Sequence, residues 1–288
     1  MIMVIGEYYN VINEEGSSLS GIGYEVSKEI SKNKCSIMFV TRISRDDIGL
    51  QLLDSLVEKE IIFDPFLCNS ELVSPRINSK IDSKYNLNNE REDSVLIPFS
   101  ESELVEVFQQ QDDINVIHYS LLPTVKNEKY LDLMVAIDTI ELKPIKYFNL
   151  ADNNDISIPY DKGVFDSLTK FADIVQVNRE YIKQYSQSLS IEQSLYKFKN
   201  DFKKASILYF DDKTIQYSSA LNCGNSFTLV KEFSSNKKNI NTLIAATFLS
   251  YLHNHDYFGT DMDAPIFKES PGSIDKALES IKLVLESD

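Results

Sequence analysis

The sequence is poor in glycine: nine in 288 residues, about 3% against a usual level near 7%. Sites that cradle phosphates need glycine, because backbone N–H groups must come close to the ligand. This chain has few places where that can happen. It has no tryptophan and only three cysteines, Cys35, Cys68 and Cys223, far apart and without a CxxC pair. That excludes a disulfide framework and a cysteine zinc site, and fits a cytoplasmic protein. Basic charge is also short. Twenty-nine Lys and Arg face 44 Asp and Glu, a net charge of −15. Nucleic acid and anionic membrane surfaces need basic patches, so neither is expected as a partner. No apolar run approaches the ~20 residues of a membrane helix. The opening residues lack a basic leader and predict a first strand instead.

What is present is ordinary for a folded chain: 43% hydrophobic and 25% charged residues. The length allows one large α/β domain or two small ones. Short apolar runs predict strands at 3–5, 35–41, 114–119, 145–150, 173–177, 206–210, 214–218 and 226–230. Helical periodicity predicts helices at 25–32, 47–59, 128–140, 162–171, 191–202, 240–253 and 273–285, the last started by Ser273. Within 47–59, Ile48, Leu52, Leu53, Leu56 and Val57 share one face. Strands alternating with helices predict an α/β fold, a mostly parallel sheet covered on both faces. One stretch, 69–100, is polar and too long for a plain loop. A disordered insert and a small β flap over a cleft both fit it. Scattered β-branched residues favour the flap, to which residues 10–17 also belong.

Several isolated constellations carry little. Gly21-Ile22-Gly23 is half of a dinucleotide motif, with Val26 where a third glycine belongs. His253 and His255, with Asp256, Asp261 and Asp263 near, do not share a helix face and suit a helix end better than a metal. No metal site is expected. His118 lies in an apolar strand and reads as a core residue. Asp211-Asp212 reads as a β-turn. No GxSxG elbow is present. Arg42 and Asp46 either line a cleft or pair with each other.

The order of segments resembles the PfkB sugar kinases, the ribokinase-like family, along nearly the whole chain. Val4-Ile5-Gly6-Glu7-Tyr8-Tyr9 is similar to the family's opening strand. Ser20-Gly21-Ile22-Gly23-Tyr24-Glu25 stands where the family has its GGxxxN sugar turn. Val40-Thr41-Arg42-Ile43-Ser44-Arg45-Asp46-Asp47-Ile48-Gly49 resembles V-G-R-x-G-x-D-x-x-G. Val116-Ile117-His118-Tyr119-Ser120 resembles a mid-sheet strand, and Ala172-Asp173-Ile174-Val175-Gln176-Val177-Asn178 resembles the run opening N-x-x-E. Ala245-Ala246-Thr247-Phe248-Leu249 resembles the last signature helix. The resemblance implies one ribokinase-like αβα sandwich over 1–288. A small β lid, from about 10–18 and 69–100, would close over a sugar and provide a homodimer contact.

The same resemblance shows where chemistry is missing. Phosphoryl transfer needs a base, preorganised donors for moving charge, and a metal on the nucleotide phosphates. The family places the first two in a G-A-G-D turn at a helix N-terminus. Here that turn reads Asn239-Ile240-Asn241-Thr242, with Thr242 at the position of the base. N-x-x-E reads Asn178-Arg179-Glu180-Tyr181, so Tyr181 replaces the glutamate. The T-x-G-x-x-G nucleotide turn reads Leu208-Tyr209-Phe210-Asp211-Asp212-Lys213, where Phe210 would crowd a phosphate. In the sugar site the family's aspartate falls near Val11, beside Asn10, and the asparagine of GGxxxN becomes Glu25. The implied substrate contacts are Asn10, Val11, Gly21, Gly23, Glu25, Arg42 and Asp46. The implied nucleotide contacts are Asn178, Tyr181, Phe210 and Lys213. Losing a general base costs ~10²–10⁴ in rate. The expectation is therefore a catalytically impaired relative that binds a small sugar, a polyol or a protein partner, with no certain cofactor. An active kinase would use Mg-ATP and another base, with Asp46, Glu25 or Asp211 as candidates. A structural or regulatory protein would fill the cleft with Phe210, Tyr181 and Tyr24.

Overall fold

A computed structural model describes residues 1–13, 16–69, 71–78, 99–120, 127–140, 143–150, 162–221, 226–237, 239–261 and 264–287. The first third of the chain holds β1 (Ile2–Ile5), β2 (Tyr9–Asn13), β3 (Gly16–Ser20), α1 (Ile22–Ser31), β4 (Ile37–Val40), β5 (Ile43–Ser44), α2 (Asp47–Glu58), β6 (Cys68–Asn69) and β7 (Arg76–Asn78). The middle holds α3 (Glu101–Gln109), β8 (Val116–Ser120), α4 (Asn127–Asp138), β9 (Ile145–Asn149), α5 (Lys162–Phe171), β10 (Ile174–Asn178), α6 (Arg179–Tyr185) and α7 (Ile191–Asp201). The last third holds β11 (Ser206–Phe210), β12 (Thr214–Ser218), β13 (Thr228–Glu232), α8 (Ile240–Asn254), β14 (Phe258–Asp261), β15 (Ala264–Phe267) and α9 (Pro271–Glu286).

Eight strands form the central sheet in the order β13-β12-β11-β10-β9-β8-β1-β4. From β4 to β11 neighbours run parallel, and β12 and β13 are added antiparallel. The parallel strands are buried on both faces, which is why they read as unbroken apolar runs such as Ile2-Met3-Val4-Ile5. Register follows those runs: Ile2 pairs with Ile37 on one side and Val116 on the other. The chain leaves β1 toward β4 and later returns to β8 on the opposite flank. With right-handed crossovers, those two directions put helices on opposite faces. α1, α8 and α9 pack together on one face, and α3, α4 and α5 form a row on the other. α6 and α7 join that second row through Phe165, Tyr181, Tyr185, Phe198 and Phe202. The α/β class with a mostly parallel sheet is as the sequence predicts.

Smaller sheets sit outside this frame. β3-β2-β7 is three-stranded, with β2 and β7 parallel, and β14-β15 is a hairpin. Residues 10–13 and 16–18 of the expected flap lie in the β3-β2-β7 sheet, as do 76–78; residues 79–98 lie outside the described residues. Four details depart from the sequence reading. α3 and α6 are additional helices. Val57 points to solvent, not to the core. The last helix starts at Pro271 and is capped by Ser270, whose hydroxyl accepts from the Ser273 N–H. Among the described residues, no helix is long and apolar enough to cross a membrane.

Candidate functional site

In an open α/β sheet, ligands sit beyond the carboxyl ends of the strands, where strand order reverses. Here that point lies between β1 and β8. Just past β1, Glu7 is fully buried. Its Oε1 accepts the Ile22 N–H at the start of α1 (2.9 Å), and Oε2 has no hydrogen-bond partner among the described residues. Burial is the main cause that raises the Glu7 carboxyl from its ordinary value to about 7. Ser120, closing β8, has a buried hydroxyl without a partner among the described residues, and so does Asn10 Oδ1 on β2. Buried oxygens of this kind are satisfied by a donor or cost free energy.

The turn above β1 depends on glycine. Gly21 has φ +121°, and a Cβ there would meet the Glu7 carbonyl oxygen at 2.5 Å. Gly23 and Gly6 touch backbone to backbone; a Cβ on Gly6 would lie 2.6 Å from Gly23 Cα. These two expected substrate residues therefore seat α1 on β1. Val11 and Asn10 are buried in β2, whose edge is held by the Asn10 N–H donating to the Pro75 carbonyl (2.9 Å). Asp46 is the N-cap of α2. Its Oδ1 accepts from the Gly49 N–H (2.9 Å), Ser44 Oγ (2.6 Å) and Ser74 Oγ (2.8 Å), and Oδ2 accepts the Ser74 N–H (2.8 Å). Burial raises its proton affinity, but those bonds to the carboxylate outweigh it and hold Asp46 at about 2. Tyr8 joins this knot through Ser74 (3.0 Å). Arg42 and Asp46 do not pair. Arg42 binds Glu103 (2.7 Å) in the capping box of α3 and lies over the Phe99 ring. Glu25 pairs with Lys28 (2.5 Å), and Tyr24 donates to or accepts from Ser55 on α2 (2.8 Å).

The α8 side is built differently. Asn239 is the N-cap of α8 without a side-chain cap bond, and its carbonyl accepts the Leu243 N–H (3.0 Å). Ile240 packs against the core and Thr242 is buried. Asn241 is tied to the sheet. Gln176 Nε2 donates to the Asn241 carbonyl (3.0 Å) and to Asn241 Oδ1, and Tyr147 donates its hydroxyl proton to Gln176 Oε1. His118 stacks on Tyr147 at 5.6 Å, and burial lowers the imidazole to about 3, so it is neutral. The first turn of α8 is thus tied to the sheet through the Asn241 carbonyl and side-chain oxygens, with Tyr147 of β9 holding Gln176 of β10 in place.

Neighbouring residues are equally committed. Asn178 caps α6, accepting the Tyr181 N–H (3.0 Å). Tyr181 is buried against Phe165, and Glu180 pairs with Lys183 on the surface (2.8 Å). Phe210 is buried at the end of β11. Asp211 closes the following turn, accepting the N–H groups of Lys213 (2.9 Å) and Thr214 (2.8 Å). Burial works against ionisation there, but these bonds hold Asp211 below its ordinary value. Lys213 is exposed. Tyr181 and Tyr24 therefore sit in helix packing, against Phe165 of α5 and Ser55 of α2. His255 meets the Tyr251 carbonyl through Nδ1 (2.8 Å) at the end of α8. Among the described residues, no group of His, Cys, Asp or Glu side chains converges as a metal cage.

Sequence reasoning passed over Glu7, Gln176, Tyr147 and Ser74. A signal was available for two of them. Glu7 follows four buried apolar residues, and Gln176 stands between Val175 and Val177; a polar side chain in such a run needs a partner. Tyr147 and Ser74 gave no local signal, since both act across long sequence separations.

No family model and no curated protein matched the sequence. Solved structures do match. A fructokinase from Xylella fastidiosa with bound ATP superposes with a TM-score of 0.71 at 14% identity, covering 100% of this chain and 92% of that one. A fructokinase double mutant from Vibrio cholerae O395 in a fructose-, ADP- and potassium-bound form gives 0.71 at 11%, with coverage of 100% and 92%. An aminoimidazole riboside kinase from Salmonella enterica gives 0.69 at 9%, with coverage of 100% and 94%. The chain has the PfkB/ribokinase-like fold.

Proposed function

We propose that this chain keeps the sugar-kinase frame without its phosphoryl-transfer machinery, and works by binding a small sugar or polyol at the β1/β8 switch point. The observation that carries this reading is the tie of Gln176 and Tyr147 to Asn241, with buried Thr242 in the place of the base. A threonine hydroxyl does not take a proton at neutral pH, and the turn before α8 has no glycine to let backbone N–H groups close on a phosphate. The buried oxygens of Glu7, Asn10 and Ser120 support a ligand rich in hydroxyl donors. A small sheet that grips such a ligand and offers a dimer contact is part of this proposal.

Mg-ATP does not fit the residues present. A phosphate on this side would meet buried Phe210 and the ionised Asp211, with no glycine turn to approach. The alternative of an active kinase with another base finds little support. Asp46 and Asp211 spend their oxygens on caps and turns, and Glu25 pairs with Lys28.

Thermal unfolding with and without millimolar Mg-ATP, alongside a panel of sugars and polyols, tests the reading. A ligand at 100 times its Kd adds about 2.7 kcal/mol, a shift of several degrees. The expected result is a shift with a sugar or polyol and none with nucleotide. A nucleotide shift accompanied by sugar-dependent ADP release at ordinary enzyme rates overturns it.

A further inference from the structure

Far from the crevice, β13 closes one side of the central sheet, and among the described residues no strand pairs with its outer edge. Its hydrogen-bonding phase can be read from its ends. The Phe233 N–H donates to the Lys213 carbonyl, and the Ser219 N–H donates to the Phe227 carbonyl. With Thr214 opposite Glu232, residues 227, 229, 231 and 233 therefore bond inward to β12. Thr228, Val230 and Glu232 point their N–H and C=O groups outward. Their side chains share the face that carries α7, and all three are exposed, Val230 at 54%. Native edges are usually blunted by proline, a bulge or a charge turned to the open side. β13 has no proline, Lys231 is drawn to the opposite face by Asp275 (2.9 Å) and Glu279 (3.4 Å), and the charge left at an outward-bonding position is Glu232 near the strand's end. α7 does not shield the edge either. It leaves a groove of about 260 Å³ above β11–β13, bordered by Leu195, Tyr196, Lys199 and Thr228.

We infer that β13 pairs antiparallel with β13 of a second copy of this chain, about a two-fold axis through Val230. Only an even register lets outward residues meet outward residues, and centring on Val230 engages all three. Val230 then faces Val230 of the partner, and Thr228 faces the partner's Glu232. Charge supports this register. Lys199 reaches Thr228 Oγ1 (3.2 Å), and among the described residues it has no carboxylate. Glu232 likewise has no ion pair among the described residues. Directly opposed side chains lie about 5 Å apart at Cβ, so the partner's Glu232 reaches Lys199 on each side of the axis. Val230 at the axis, flanked by two Lys199–Glu232 pairs, is a self-complementary surface. It is separate from any contact through the β3-β2-β7 sheet.

Sedimentation velocity of the full chain from about 1 to 100 µM is the test, because edge-paired dimers of modest area dissociate in that range. The expected result is a concentration-dependent dimer. Val230→Lys brings two ammonium groups together on an exposed position and should raise the dimer Kd at least ~100-fold, with the thermal midpoint retained. Glu232→Lys should weaken the dimer ~10-fold, and adding Lys199→Glu should restore it to within ~3-fold of the parent. A monomer at every concentration overturns the inference. So does a dimer that ignores Val230→Lys, which would place the contact elsewhere, and so does a double variant that fails to recover.

Discussion

The two flanks of the crevice use glycine in opposite ways. Five of the nine glycines, Gly6, Gly16, Gly21, Gly23 and Gly49, fall within the first 49 residues, around β1, α1 and α2. There the backbone of Gly6 meets that of Gly23, and Gly21 holds a positive φ. The flank formed by the ends of β10 and β11 and the start of α8 has none. Close backbone approach occurs where α1 and the small sheet are seated, and the ends of β10 and β11 and the start of α8 have no glycine for it. Polar groups divide less sharply. The β1 flank leaves buried oxygens at Glu7, Asn10 and Ser120; on the α8 flank Gln176 meets Asn241 and Asp211 meets Lys213 and Thr214, but both ring nitrogens of His118 have no partner among the described residues.

The largest expected effect breaks the comparison at its glycines. Gly6→Ala should cost about 3–5 kcal/mol in denaturant unfolding, because one of two backbones must move. Asn239→Gly, on the other flank, should change stability by less than about 1 kcal/mol in the same measurement. If the two variants cost the same, the flanks do not differ in the way described.

Next come two buried titrating groups, one on each flank. Glu7 has a raised folded value, about 7 against 4.5, so its contribution is full below pH 4.5 and is lost as pH rises through 7. His118 has a lowered one, about 3 against 6.5, so its contribution is full above 6.5 and is lost as pH falls toward 3. Between about pH 4.5 and 6.5 the two slopes oppose and the parent should show a near-plateau. Glu7→Gln should unmask a loss on acidification, and His118→Phe a loss on alkalinisation, each roughly 2–3 kcal/mol between about pH 4.5 and 6.5. Urea unfolding at half-unit pH steps gives both curves; parallel curves for parent and variants would remove these groups from the account.

Asp46→Ala should cost about 2 kcal/mol at pH 6, the loss of a cap and of the bonds from Ser44 and Ser74. Because Asp46 is held at about 2, that difference should persist at pH 5 and shrink as pH falls below 3.8 toward 2. The smallest effect concerns activity. Thr242→Asp alone should give no sugar-dependent ADP release, since position 242 is buried and no glycine turn precedes α8. Turnover in that single variant would mean the α8 flank lacks only its base.

Most of the sheet was legible because its strands are continuous apolar runs bounded by polar residues, such as Ser206–Phe210. Strand period and helix period differ enough that α5 and α7 could be placed within a residue. α3 and α6 were missed for different reasons. α3 follows a polar stretch, and its strongest signal is the Ser100/Glu103 capping box, which tells of a start but not of a buried face. α6 is only seven residues long, too short for periodicity to stand out. At the site, replaced motif residues were visible one by one, as with Thr242 and Tyr181. Their new partners were not. Arg42 finds Glu103 and Asp46 finds Ser74 across 61 and 28 residues, and no local pattern announces such pairs. Val57 shows the limit of a helical wheel, since a stripe wider than the contact leaves its margin in water.

β1 lies between β8 and β4, so the strand translated ahead of every other described element ends as an interior strand, one place in from the β4 edge. One neighbour begins at Ile37 and the other at Val116. At a synthesis rate of ~10 residues per second, β1 waits roughly ten seconds for its second partner. Over that interval Ile2, Met3, Val4 and Ile5 have one unpaired side. The remaining strands of the central sheet, β9 through β13, are each added beside the one just made. During synthesis these four apolar residues are therefore the sheet's longest-standing open edge.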